Sequence, residues 1–109
     1  MEYAFGHTSD GPMVTLTGRF VYADVGKIHD IVAGWDFGAH PAVMLDLRYV
    51  TFIDSTAIGA LFVVANRAAE FGGDLVLRNP SPSVIKALTR ADLPARTRIV
   101  MDAPPMAKA

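Results

Sequence analysis

The sequence predicts a single α/β domain with a mixed, mostly parallel β-sheet, an N-terminal hairpin and helices packed on the sheet. Two short strand patterns open the chain, and segments of helical and strand periodicity then alternate to residue 101. This alternation is typical of parallel strands joined by right-handed helical crossovers. Of the 109 residues, 51% are hydrophobic and none is cysteine, so the chain can bury one core and has no disulfide or thiolate metal site.

The hairpin is predicted over residues 2–6 and 13–18. Val14 and Leu16 alternate with Thr15 and Thr17, which indicates a strand with one buried face. The segment 9–12, Ser-Asp-Gly-Pro, has the composition of a turn.

A helix is predicted over residues 22–34, where hydrophobic residues recur at helical spacing and Gly34 offers a stop. Residues 36–41 include Pro41 and are predicted to form a loop. The nearly continuous apolar run 42–47, with Asp46 as its one charge, suits a central strand covered on both faces.

The longest helical pattern covers residues 55–71 and stops at Gly72 and Gly73. Its predicted buried stripe is Ile58, Leu61, Phe62, Ala65, Ala68 and Ala69. Small or apolar residues also fill the other side of its first turns, namely Gly59, Ala60, Val63 and Val64. That second set favours a helix that presents apolar surface to a partner. Asp54, Ser55 and Thr56 stand at the start, and any of the three could cap the N-terminus.

The rest of the chain predicts a strand at 74–77, a helix capped by Ser81 with Pro82 at its first position, and a last strand at 97–101. The predicted buried stripe of that helix is Val84, Ile85 and Leu88. Residues 102–109 contain few large apolar groups and are expected to be a disordered tail.

The stretch from Val43 to Leu93 resembles the core of the STAS domain found in bacterial anti-sigma factor antagonists. It has a strand ending in Asp-Leu, a Phe-Ile-Asp-Ser-Thr turn, a helix rich in small residues, a Gly-Gly turn, a strand and an Asn-Pro turn before the next helix. The resemblance implies a STAS domain over residues 1–101. One departure is Ala57, where many members of the family have glycine.

The resemblance also implies a partner switch. In antagonists the serine after the aspartate of the turn is the phosphoacceptor, which corresponds to Ser55 here, with Thr56 as the secondary candidate. The unphosphorylated antagonist binds an anti-sigma factor that has serine kinase activity, and the sigma factor is thereby released. Phosphorylation ends the binding. A phosphatase is therefore expected as a further partner. The expected partner surface comprises Ile53, Asp54, Ser55, Thr56, Gly59, Ala60 and Val63.

Two other functions remain open. The domain could be a STAS docking subunit of a transporter-associated or other multiprotein complex, with the same helix as a permanent docking face. Alternatively, Asp46 and Asp54 could form a small cation site or the acyl-phosphate acceptor of a small α/β enzyme. That class needs a lysine at the end of a later strand, where this chain has Arg96 and Arg98.

No catalytic residue, metal site or cofactor is predicted, because His7, His29 and His40 lack ligand spacing and no phosphate-binding glycine loop is present. The formal net charge of −1 gives no general attraction to nucleic acid. No apolar run is long enough to span a bilayer, and the first residues lack the features of an export signal. A cytoplasmic protein is therefore expected, with its oligomeric state left open.

Overall fold

A computed structural model describes residues 1–102, and it confirms the predicted fold class. The elements are β1 Glu2–Thr8, β2 Gly11–Phe20, a 3-10 turn Tyr22–Asp24, α1 Val25–Ala33, β3 Val43–Ile53, α2 Ser55–Glu70, β4 Leu75–Arg78, α3 Pro82–Arg90 and β5 Thr97–Val100. They form one five-stranded sheet in the order β1-β2-β3-β4-β5. β1 is antiparallel to β2, and the remaining neighbours are parallel, as the sequence predicted.

The hairpin turn is tighter than the predicted 9–12 segment. Pairing of β1 with β2 continues to Thr8 and Gly11, so only Ser9 and Asp10 connect the strands. Gly11 has φ of 121°, a backbone conformation that residues with a side chain rarely adopt. Glycine at this position therefore allows the short turn.

All helices contribute to one core on one face of the sheet. The strands follow one another across the sheet in sequence order, so successive right-handed crossovers place their helices on the same side. One cluster of buried residues joins Leu16 of β2, Ile28 of α1, Leu61 of α2 and Leu88 of α3.

The strand predicted at 42–47 has buried residues on both faces, as expected, but helices pack on only one of them. Met44 and Val76 alternate with residues of the core, and both are buried but do not belong to that cluster. Within residues 1–102, no helix covers the sheet face on which they lie. Periodicity within one strand cannot reveal on which side the neighbouring helices will pack.

β3 is longer than predicted and continues from the expected end at Leu47 to Ile53. Its pairing with β2 shifts twice, because Thr15 pairs with Asp46 but Thr17 pairs with Tyr49, and a second shift follows at Gly18. Each shift places an extra residue on β3 and interrupts the two-residue alternation of side chains. This interruption explains why a periodicity argument ended the strand too early.

Glycines end α2 as predicted. The amide of Gly73 donates to the carbonyl of Ala68 at 2.9 Å, and Gly72 donates to Ala69 at 3.0 Å, which is the Schellman arrangement. Gly72 has φ of 79°. A Cβ atom on Gly73 would lie 2.1 Å from the carbonyl oxygen of Pro41, so the chain leaves α2 through a space that only glycine fits.

Asp102, predicted to begin a disordered tail, is held against the end of β4. Its carboxylate accepts hydrogen bonds from Arg78 at 2.5 Å and Asn79 at 2.9 Å, and Arg48 approaches at 3.3 Å. Hydrogen bonding from Arg78 and Asn79 lowers the pKa of Asp102. The rest of the predicted tail, residues 103–109, lies outside the described residues.

Candidate functional site

The candidate site lies where β3 ends and α2 begins. Ile53 is the last residue of β3, and Asp54 has the extended backbone of a helix N-cap, with φ of −102° and ψ of 175°. The amide of Asp54 donates to the carbonyl of Phe20 at the end of β2, 3.3 Å away. The start of α2 is therefore fixed to two neighbouring strands of the sheet.

The Asp54 carboxylate ties two elements together. Oδ1 accepts a hydrogen bond from the amide of Ala57 at 2.8 Å, and Oδ2 accepts one from the amide of Tyr22 at 3.1 Å. The first bond caps α2, and the second holds the 3-10 turn that precedes α1. Of the three possible caps in the sequence, Asp54 is the one that does this work.

Because Asp54 caps the helix, the neighbouring hydroxyls are not needed for capping. Ser55 and Thr56 are the first two residues of α2, and both are exposed. Among residues 1–102, neither hydroxyl has a hydrogen-bond partner. The site thus presents a free serine hydroxyl beside a carboxylate at the positive end of a helix dipole.

The structure corrects the expected partner surface at two residues. The side chains of Ile53 and Ala60 are each only 6% exposed, because both pack into the core beneath α2. Ser55, Thr56 and Gly59 are exposed, and Val63 is 49% exposed. The accessible surface therefore contains the hydroxyls and the glycine, and it excludes the two buried side chains.

The buried stripe of α2 is also rotated relative to the prediction. Its members are Ala57, Ala60, Leu61, Val64, Ala65 and Ala68. Ile58 and Phe62, predicted to be buried, are half-buried, and Ala69 is exposed. α2 is rich in alanine and valine on both sides, so hydrophobicity alone located its inward face only approximately.

Exposed aromatic residues near the start of α2 were missed by the sequence analysis. Tyr22, whose amide binds Asp54, is 73% exposed. Phe52, two residues before Asp54, is 42% exposed, and the Arg19 guanidinium lies 4.5 Å from its ring centroid. Phe52 was assigned to a turn rather than a strand, so nothing in the pattern indicated that its ring would face outward.

The two carboxylates proposed for a cation or acyl-phosphate site lie apart. All residues from Asp46 to Ile53 belong to β3, and eight residues of extended chain span roughly 25 Å. Asp46 also accepts a hydrogen bond from the amide of Arg48 at 3.0 Å. The structure contradicts the pairing of Asp46 with Asp54, because the strand that was expected to end beside Asp46 continues past it.

Neither a metal site nor a membrane span is found in the described part of the chain. No group of three or more His, Cys, Asp or Glu side chains is arranged to hold a metal ion in residues 1–102. No helix there is long and apolar enough to cross a bilayer.

Comparison with protein families identifies the fold. The model of the STAS domain family matches residues 7–102. A search of curated proteins found no match for the sequence.

Several solved structures share the fold at low sequence identity. The anti-sigma factor antagonist SpoIIAA in its unphosphorylated form is 20% identical, with a TM-score of 0.70 over 94% of this chain and 90% of that one. The Bacillus cell fate determinant SpoIIAA in its phosphorylated form is 18% identical, with a TM-score of 0.68 over 98% of this chain and 95% of that one.

The murine anion transporter Slc26a9 in its inward-facing state is 21% identical, with a TM-score of 0.66. That match covers 74% of this chain and 14% of the transporter, so this chain is similar to one part of it. At these identities the likenesses establish a shared fold.

Proposed function

This chain belongs to the STAS domain family, and from that premise we propose that it is a non-enzymatic, cytoplasmic anti-sigma factor antagonist regulated by phosphorylation of Ser55. The unphosphorylated chain binds an anti-sigma factor that has serine kinase activity, and the sigma factor is released. Phosphorylation of Ser55 ends that binding, and a phosphatase restores it. The observation that carries the proposal is the exposed Ser55 hydroxyl on a helix that Asp54 already caps.

A kinase needs a hydroxyl whose modification does not break a hydrogen bond that the fold of the substrate requires. Ser55 meets this requirement because the bond that caps α2 comes from Asp54, 2.8 Å from the amide of Ala57. Thr56 is exposed as well, so exposure alone does not decide which of the two hydroxyls receives the phosphate. The position of each hydroxyl in the sequence is the criterion that remains. Ser55 directly follows the aspartate of the turn, and we assign the phosphate to it.

The surface around Ser55 has the chemistry of a docking site. Gly59 and Val63 expose small, uncharged groups along α2, and Tyr22 and Phe52 add exposed aromatic rings at its start. Aromatic side chains are enriched at protein interfaces, and charged ones are depleted in their centres. A partner that covers this surface would desolvate Ser55.

The physical chemistry of phosphorylation favours a switch at the interface over a switch in folding. A phosphate adds about 1.5 to 2 negative charges, which the N-terminus of a helix favours by roughly 0.3 to 2 kcal/mol. The free chain should keep its fold. Burial of the dianion against an apolar partner costs several kcal/mol, and about 5.5 kcal/mol changes a 99:1 equilibrium into 1:99.

Phosphosite mapping tests the assignment. The wild type, Ser55→Ala and Thr56→Ala would each be incubated with a candidate anti-sigma kinase and ATP, and the products analysed by peptide mass spectrometry. We expect one phosphate on the wild type and on Thr56→Ala, and none on Ser55→Ala. Phosphate on Thr56 in the wild type, or incorporation into Ser55→Ala at the wild-type rate, would refute the assignment.

A second candidate function is a docking subunit of a larger complex without a phosphoswitch. The likeness to one part of Slc26a9 supports it, since that protein is an anion transporter and its STAS-like part is a segment of a much longer chain. The same exposed surface of α2 would then be a permanent interface. A partner that binds the wild type and Ser55→Asp with equal affinity would favour this candidate.

A further inference from the structure

The face of the sheet opposite the helices carries a cavity of about 490 Å³. Ligand sites in proteins commonly have volumes of about 300 to 1,000 Å³, so this one could hold a small organic molecule. Met44 is part of its lining, and Ser55 follows it by eleven positions, most of them in β3, which puts the cavity roughly 30 Å from the serine. The cavity is therefore separate from the surface around Ser55.

The floor of this cavity is apolar, on a face where polar residues are the rule. Met44, Val76 and Val100 come from three adjacent parallel strands. Met44 and Val76 are 7% and 6% exposed and stand outside the core shared with the helices. A sheet face without helices is usually solvated and polar, so buried apolar residues are uncommon there, and the atoms that these two still expose line the cavity.

The rim of the cavity is mainly cationic. Arg78, Arg98 and His40 line it, and Asp10 is the one carboxylate in the lining. Asp10 lies 3.8 Å from Arg78, whose guanidinium also binds Asp102. Asp102 and Asp74 neutralise part of this charge, because they pair with Arg78 at 2.5 Å and with Arg98 at 3.3 Å. An anion in the cavity must therefore be bound by guanidinium donors that these carboxylates leave free.

The Arg98 guanidinium has hydrogen-bond donors that residues 1–102 do not use. Its Nε lies 3.3 Å from the Asp74 carboxylate, and its side chain is 61% exposed. No hydrogen bond within residues 1–102 uses its two terminal nitrogens. The planar guanidinium fork matches carboxylate, sulfonate and phosphate oxygens, and here it stands at the edge of an apolar floor.

We propose that this cavity binds a small organic anion, made of an apolar ring or branched hydrocarbon with one acidic group. The apolar part lies on Met44 and Val76, and the acidic group binds Arg98. This inference is independent of the proposed switch at Ser55.

Two fluorescent probes test both halves of the proposal. 1-Anilinonaphthalene-8-sulfonate has an aromatic body and one sulfonate, and N-phenyl-1-naphthylamine has nearly the same body without the charge. Each would be titrated into the wild type, Arg98→Gln and Val100→Trp, with Arg90→Gln on α3 as the control for loss of a surface charge. Backbone amide NMR would locate the bound probe and show that each variant is folded.

We expect the sulfonate probe to shift the amide signals around Met44, Val76 and Val100. Loss of a charge-assisted contact should weaken its binding to Arg98→Gln by about tenfold or more, with little effect on the neutral probe. Val100→Trp should weaken both probes by filling the cavity, and Arg90→Gln should weaken neither. The proposal is overturned by absence of saturation at about 1 mM sulfonate probe, by shifts confined to α2 or Tyr22, or by equal affinity for Arg98→Gln and wild type.

Discussion

The two faces of α2 show how one helix serves two purposes. The inner face is almost inaccessible, with Ala57 and Leu61 0% exposed and Val64 2% exposed. On the outer face Ser55 and Gly59 are open to solvent. Substitutions on α2 should therefore separate into those that change stability and those that change binding.

This separation depends on Asp54. The carboxylate caps α2 and holds the turn at Tyr22, so the start of the helix stays in place without help from Ser55. Modification of the hydroxyl on the outer face should then leave the packing of the inner face unchanged. Four predictions test the comparison, in order of their expected effect on the free energy of unfolding.

The largest effect is expected from Leu61→Ala on the inner face. Leu61 is 0% exposed, and its truncation should leave a cavity and lower the free energy of unfolding by about 2 to 5 kcal/mol. Urea denaturation followed by circular dichroism measures it. Val63→Ala on the outer face is the matched control and should change stability by less than about 0.5 kcal/mol. Equal losses from both variants would contradict the division into two faces.

Asp54→Ala should have the next largest effect. It removes the cap on Ala57 and the hydrogen bond to Tyr22, and loss of an N-cap typically costs about 0.5 to 2 kcal/mol. Asp54→Asn keeps a good capping side chain and should cost less. Ser55→Ala should be close to neutral in the same thermal and urea unfolding experiments. A loss in Ser55→Ala as large as that in Asp54→Ala would mean that the serine also caps the helix.

Asp24 makes the stability of the turn beside α2 depend on pH. Its carboxylate accepts a hydrogen bond from the amide of Val21 at 3.0 Å, the ammonium group of Met1 lies 3.1 Å away and Lys27 lies 3.4 Å away, and these contacts lower its pKa from the ordinary value of 3.8. A lowered folded-state pKa means that the stabilisation is complete above the unfolded-state pKa and is lost as pH falls further.

The matched variant is Asp24→Asn. At pH 6 it should be less stable than the wild type by about 1 kcal/mol, the usual size of such a contribution, and the difference should shrink below about pH 4. Urea midpoints at several pH values measure this. A difference that stayed constant from pH 6 to pH 2.5 would exclude the Asp24 carboxylate as its source.

The smallest effect, and the one of opposite sign, is expected from Gly59→Ala. A Cβ atom there would meet no heavy atom within 4 Å. Because alanine has a higher helix propensity than glycine, the substitution should raise the free energy of unfolding by about 0.5 to 1 kcal/mol. The added methyl group should nevertheless weaken a partner that packs closely on the bare backbone. Thermal unfolding and a binding titration measure the two effects. A loss of stability in Gly59→Ala would show that other parts of the chain pack against this face of α2.

The sequence predicted the order of elements because their periodicities are strong. The stop of α2 at two glycines and the start of α3 at Ser81 and Pro82 were both recognisable, and Ser81 accepts a hydrogen bond from the amide of Val84 at 3.4 Å. Such end signals depend on neighbouring residues only. They are therefore readable without knowledge of the tertiary structure.

The remaining features depend on contacts between distant segments. The cap of α2 could not be chosen among three adjacent acceptors until the position of Tyr22 was known. The burial of Ala60 and Ile53 depends on how α2 rotates over β3, and the second half of β3 was hidden by its shifted pairing with β2. The exposed ring of Phe52 was missed for the same reason.

Control of docking by Ser55 is best tested by comparing the affinity of three proteins for one partner. The partner would be captured with the wild-type chain from its own cells and identified by mass spectrometry. Wild type, Ser55→Ala and the enzymatically phosphorylated Ser55 form would then be titrated against it, after both modified proteins are shown to be less stable than the wild type by no more than about 0.5 kcal/mol. We predict that Ser55→Ala binds within about threefold of the wild type and that the phosphorylated form binds at least about a hundredfold more weakly. Equal affinity of the phosphorylated and unphosphorylated forms would contradict the claim that Ser55 controls docking on α2.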